Sequence, residues 1–220
     1  MKKISRIIFI AIVLGSSINA AAQKKLTEAT ITYDIIINTN DSKPQVADLL
    51  DGASSVIYLK GKSSRSEMIS PLGTQATIID GKTGHVTMLK DYGEQRYMIK
   101  MTPANWKESN KKYDSIRFTY YNEYKTIEGY KCQKAVGMMA DSTTFSVYFC
   151  KDLVPINKDF EYLNRNLPGL AMQYEAKLGN KMVTYTVSNI SLNPVLQSKF
   201  DIPKSGYRLM SYEESKGGGN

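Results

Sequence analysis

The chain has 220 residues, 29 of them lysine or arginine and 21 aspartate or glutamate, for a net charge of +8. One domain of that length can bury a substantial core. Its single histidine, His85, excludes His-rich zinc sites and the His-x-x-x-His metalloprotease pattern.

The first residues read as a targeting segment. Lys2, Lys3 and Arg6 precede an unbroken apolar run over 7–14, and small residues follow up to Ala20-Ala21-Ala22-Gln23. Ala20 and Ala22 stand where a signal peptidase needs small side chains, so residues 1–22 are expected to be a cleaved signal peptide. The run is too short to span a bilayer, which takes about 20 residues. No cysteine follows it, so no lipid anchor is expected. The expected mature chain is soluble and periplasmic or secreted, not an integral membrane protein. Its basic excess becomes mild once Lys2, Lys3 and Arg6 leave, and export argues against nucleic acid as a partner.

Beyond the signal, period two dominates. Ile31, Tyr33, Ile35 and Ile37 alternate with Thr32, Asp34 and Ile36. Pro44 then introduces a short helix over 45–50. Strands are expected over 56–60, 65–70, 74–80, 85–91 and 94–101. The turns Asp80-Gly81-Lys82-Thr83-Gly84 and Tyr92-Gly93 between them mark consecutive antiparallel hairpins. A second helix is expected over 103–112, where Thr102 can cap and Pro103 suits the first turn. A long aromatic strand over 115–125 carries Phe118, Tyr120, Tyr121 and Tyr124, and a hairpin over 130–138 and 143–150 follows. Residues 159–164 form a short turn. Strands over 170–178 and 181–190 flank Gly179-Asn180.

The fold class is mainly β: a curved antiparallel meander sheet or half-barrel of about 10–11 strands with a few short helices. One β-rich domain spans 23–212. A disordered tail over 213–220 follows, because three consecutive glycines close the chain. Runs such as Ile35-Ile36-Ile37 and Ile78-Ile79 are apolar on both faces. That suits a sheet with one face on helices and the other lining a groove.

If Ala140-Asp141-Ser142 is a three-residue loop, Met139 faces Thr143, and counting back places Cys132 opposite Cys150. Opposed residues lie about 4.5 to 5.5 Å apart at Cα, within disulfide range. A disulfide between Cys132 and Cys150 is therefore expected in an oxidising compartment. Their wide spacing does not resemble a Cys-x-x-Cys redox pair.

No catalytic constellation emerges. His85 opens a strand and reads as exposed, and there is no Gly-x-Ser-x-Gly elbow. Acids such as Asp34, Glu175 and Asp201 alternate with apolar residues or sit at turns, the pattern of a solvated face. Glycines stand singly at turns, so no phosphate loop or calcium loop is formed. The 15 tyrosines suit strand packing and also suit stacking on sugars or lipids. No cofactor or metal is expected.

The stretch Ile127-Glu128-Gly129-Tyr130-Lys131-Cys132-Gln133-Lys134-Ala135, followed by Val147-Tyr148-Phe149 and Lys151-Asp152-Leu153, resembles a family of uncharacterised exported Bacteroidetes proteins. That family carries an I-x-G-Y-x-C-x-K strand before a V-W/Y-x-x-K-D strand. Val56-Ile57-Tyr58-Leu59-Lys60-Gly61, Arg65-Ser66-Glu67-Met68 and the stretch from Phe200 to Tyr207 fit its early strands and its ending. Leu167-Pro168-Gly169-Leu170 is similar to the core of the related GLPGLI group, with Asn166 and Ala171 in place of the outer glycine and isoleucine. Both groups are similar to the periplasmic lipoprotein-carrier fold, a curved half-barrel closed by short helices around an apolar groove. The resemblance supplies no catalytic residues. From the two-sided apolar strands and the expected export, the function expected is that of a non-enzymatic envelope protein that binds a lipid, or another apolar ligand or partner, in the concave face. Two alternatives stand beside it: an outer-membrane β-barrel, and a hydrolase built on a carboxylate pair.

Overall fold

The computed structural model describes residues 23–37, 52–178 and 181–217. The expected signal peptide and the helix over 45–50 lie outside these. Among the described residues, fourteen strands and two α-helices run in the order β1 Lys24–Leu26, β2 Glu28–Ile37, β3 Ser54–Lys60, β4 Ser63–Ser70, β5 Gly73–Ile79, β6 Val86–Tyr92, β7 Gln95–Met101, α1 Pro103–Ser109, β8 Arg117–Ile127, β9 Tyr130–Met138, β10 Thr144–Cys150, β11 Leu153–Pro155, β12 Leu170–Leu178, β13 Lys181–Ser191, β14 Arg208–Met210 and α2 Tyr212–Gly217.

Twelve strands form one large curved sheet, open rather than closed into a barrel. Its order is β14-β7-β6-β5-β4-β3-β2-β13-β12-β10-β9-β8. Strands β2 to β7 form one antiparallel meander. Strands β8, β9, β10, β12 and β13 form a second. Pairing of β2 with β13 joins them, with Ile31 opposite Ile190 and Ile37 opposite Val183. The sheet is mixed because β14 runs parallel to β7. Strands β1 and β11 add a separate parallel pair.

Alternation in β2 sends Ala29, Ile31, Tyr33, Ile35 and Ile37 into the core. The same face continues through Ile57 and Leu59 on β3 and through Val183 and Val187 on β13. Helix α1 covers this face beyond β7, its Trp106 packing with Met210 and the buried Tyr212 on Ile79, Val86, Ile99 and Met101. Thr102 caps α1 through the Asn105 amide, and Asn105 Oδ1 accepts from the Thr102 backbone in return. On the opposite face, Phe200 and Tyr207 pack on Ala76, Ile78, Leu89 and Met98. The chain from 195 to 207 is thus a strap across the back of β3 to β7.

The tail departs from expectation. Tyr212–Gly217 is helical, because the Ser211 hydroxyl and the Glu214 carboxylate cap it reciprocally and Tyr212 is buried. Residues 218–220 lie outside the described residues.

Candidate functional site

The hairpin register is the expected one. Met139 donates to the Thr143 carbonyl, the αL conformation of Ser142 closes the three-residue loop, and Phe149 lies opposite Gln133. The next step brings Cys132 and Cys150 side by side. The expected disulfide is nevertheless not formed: both thiols are unbonded and fully buried. The Cys132 thiol donates to the Tyr130 carbonyl instead of meeting Cys150. Burial and the neighbouring Cys150 push the Cys132 thiol up to about 12, and burial raises Cys150 too. These are core side chains, not nucleophiles.

The tyrosines divide. Tyr33 and Tyr174 meet edge to face on the helix-covered side, with ring centroids 5.8 Å apart, and Tyr174 stacks on Tyr185 at 4.8 Å. The Tyr33 hydroxyl donates to the Ala171 carbonyl. On the edge strand β8, Tyr120, Tyr121 and Tyr124 are exposed.

Residues 156–169 close over the buried rings, and they deliver a carboxylate that no sequence pattern marks. Glu161 is half-buried as a residue, yet its carboxyl lies among these rings, accepting from Tyr174 and from the Asn164 amide at 2.9 Å. Burial pushes it up to about 7, against the pull of those two hydrogen bonds. Lys158 binds the Leu167 carbonyl, and Trp106 donates to the Asp159 carbonyl, so the segment is pinned to the fold. The rings therefore fill the part of the helix-covered face beneath this segment, and a hollow of about 420 Å³ lies beside it, lined by Tyr113, Phe145, Leu163 and Ala176.

A larger hollow lies on the other face, beside the strap. It is a groove of about 930 Å³ at the end of the sheet where β3 turns into β4 and β5 into β6. Ile78, Phe200 and Ile202 give it apolar walls, and Thr87 is buried beneath. Lys60, Lys62, Lys82 and His85 give it a basic rim. The two turns interlock. The Gly81 amide donates to Ser63 Oγ at 3.1 Å, and a Cβ on Gly81 would lie 2.5 Å from the Lys62 backbone. Only glycine permits that approach.

The strap is fastened at both sides of the groove. Lys60 Nζ donates to the Val195 carbonyl at 2.6 Å, and the Val195 amide donates to Glu28 at 2.8 Å. Arg65, ion-paired to Glu67 at 2.5 Å, also reaches the Lys199 carbonyl. The two carboxylates lining the groove are engaged. The Val195 amide and Lys60 hold Glu28 below its ordinary range, and the Lys82 amide does the same for Asp80. Neither is poised to donate a proton at neutral pH.

The acids expected on a solvated face are placed there. Asp34 accepts from Ser188, Glu175 accepts the Ser146 amide, and Asp201 is exposed. Among the described residues no cluster of three or more His, Cys, Asp or Glu is placed to hold a metal ion. His85 is exposed on the groove rim, at the strand start where its sequence position puts it. The groove itself has no signal in the sequence. Its lysines lie in two separate turns, and its lid comes from the far end of the chain.

Neither the protein-family models nor the curated proteins give a match. Solved structures share the fold at low identity. PNGF-II aligns with a TM-score of 0.50 and 15% identity over 87% of this chain and 33% of its own. The present chain thus spans about a third of PNGF-II. An uncharacterised conserved protein from Thermus thermophilus aligns with a TM-score of 0.52 and 10% identity, over 84% of this chain and 91% of that one. At such identities the likeness concerns the fold alone.

Proposed function

We propose that this is a non-enzymatic exported protein of the cell envelope that binds a lipid or another apolar ligand in the groove beside the C-terminal strap. The observation that carries the reading is the groove itself, about 930 Å³ with Ile78, Phe200 and Ile202 in its walls. A hollow of this volume suits a small molecule or one acyl chain. Beside it the strap holds Leu196 and Ile202 out in solvent at 71% and 42% exposure, apolar surface that a bound chain would cover. The engaged states of Glu28 and Asp80 support binding over hydrolysis. The I-x-G-Y-x-C-x-K resemblance and the N-terminal signal pattern support an envelope location. An outer-membrane barrel does not suit this topology, since an open sheet leaves strand edges that lipid cannot satisfy.

Native mass spectrometry of the mature chain isolated from its own cell envelope tests this. A bound mass in the lipid range, removed by organic extraction, is the expected result. A clean apo mass under every gentle condition contradicts it.

A further inference from the structure

Two exposed ammonium groups of the groove rim are those of Lys62 and Lys82. Each sits at the tip of a hairpin turn, and the interlock of Gly81 with Lys62 and Ser63 brings the two tips together. Among the described residues neither ammonium group forms a hydrogen bond or a close ion pair, although Lys82 acts at longer range on the Asp80 carboxylate. Lys60, by contrast, is committed to Glu28 and the Val195 carbonyl. The two groove acids are likewise committed: Glu28 to Val195 and Lys60, and Asp80 to the Lys82 amide and the Thr83 hydroxyl. The exposed His85 adds a third donor on the same rim.

Lys62 and Lys82 carry exposed positive charge at neighbouring turn tips, offset only in part by the Asp80 carboxylate that Lys82 acts on, so an anion lodged between the tips is attracted to both. The apolar walls of Ile78, Phe200 and Ile202 begin in the same hollow. Resting on the ligand-binding reading above, we infer that the ligand is an anionic amphiphile, its carboxylate or phosphate held at Lys62 and Lys82 and its chain laid along the strap. A charge-assisted contact of that kind is stronger than a neutral one and is weakened by salt.

The test compares three probes on the full mature chain below their micelle-forming concentrations: dansyl-undecanoate, a neutral maltoside of similar chain length, and inorganic phosphate alone. The anionic amphiphile should bind at least about ten-fold more tightly than the maltoside. Lys62→Glu combined with Lys82→Glu should abolish that preference while leaving maltoside binding unchanged. Lys107→Glu, on α1, serves as a charge control and should change neither. Circular dichroism melting confirms that the variants fold. Equal binding of the two amphiphiles, or a preference that survives the double substitution, overturns the anionic assignment and leaves the groove-binding reading standing. Failure of both amphiphiles to bind overturns the groove-binding reading itself. Phosphate binding as tightly as the anionic amphiphile overturns the amphiphile and assigns the rim to a small anion.

Discussion

At the Glu161 carboxyl, burial and hydrogen bonding act in opposite directions, and burial is the larger effect. The folded chain holds this proton at about 7, against 4.5 for an ordinary glutamate, so folding favours the protonated form. That contribution is intact below the unfolded value and is lost as pH rises through about 7. The full loss is on the order of 3 kcal/mol. Glu161→Gln keeps an acceptor for Tyr174 and removes the titration. Its melting temperature should exceed that of the wild type at about pH 8 and match it at about pH 4. Identical melting profiles for the two proteins across that range would show a hydrated carboxyl. The thiols make a second residue-level test. With both buried and raised, a chain produced under reducing conditions should not react with Ellman's reagent while folded. Once unfolded it should consume two equivalents. Rapid reaction in native buffer would place a sulfur at the surface.

Among the elements, the segment Leu167-Pro168-Gly169-Leu170 shows how a short motif carries a packing constraint. Leu167 and Leu170 are fully buried, and Gly169 lets the Cys150 backbone approach where a side chain would sit. A Cβ there would overlap the Cys150 carbonyl oxygen. Gly169→Ala should therefore destabilise by about 1–3 kcal/mol, read as a lower urea midpoint with unchanged slope. An unchanged midpoint would mean that the β10 end is loosely packed. The hairpins are legible because their information is local: Ala140-Asp141-Ser142 set the β9–β10 register, and Thr102 with Pro103 set the start of α1. The tail helix is written as openly in Ser211 and Glu214, but the glycines after it mask the capping pair. Strands β1, β11 and β14 escape a sequence reading because three residues carry no readable period.

Over the whole molecule, the information that escapes is long-range. Alternation in β2 predicts a buried face, but nothing in it names β13 as the neighbour, since either neighbour would accept the same apolar partners. The helix-covered side reads as greasy from Tyr33 and Tyr174, yet those rings fill its middle, and the larger hollow, about 930 Å³ against about 420 Å³ beside the rings, lies on the opposite face. There the strap, the two turns and the lysines come from three distant parts of the chain. A groove between a sheet and a fastened strap can admit a chain-like ligand with little rearrangement of the sheet. Binding should therefore perturb a small, defined set of amides. Two-dimensional amide NMR during titration with dansyl-undecanoate reads this most directly. The expected shifts gather at Lys62, Ser63, Gly81, Lys82, Thr87 and Phe200, with α1 and Glu161 unmoved. Shifts confined to α1 and the segment around Glu161, or none at saturating probe, would contradict a ligand site under the strap.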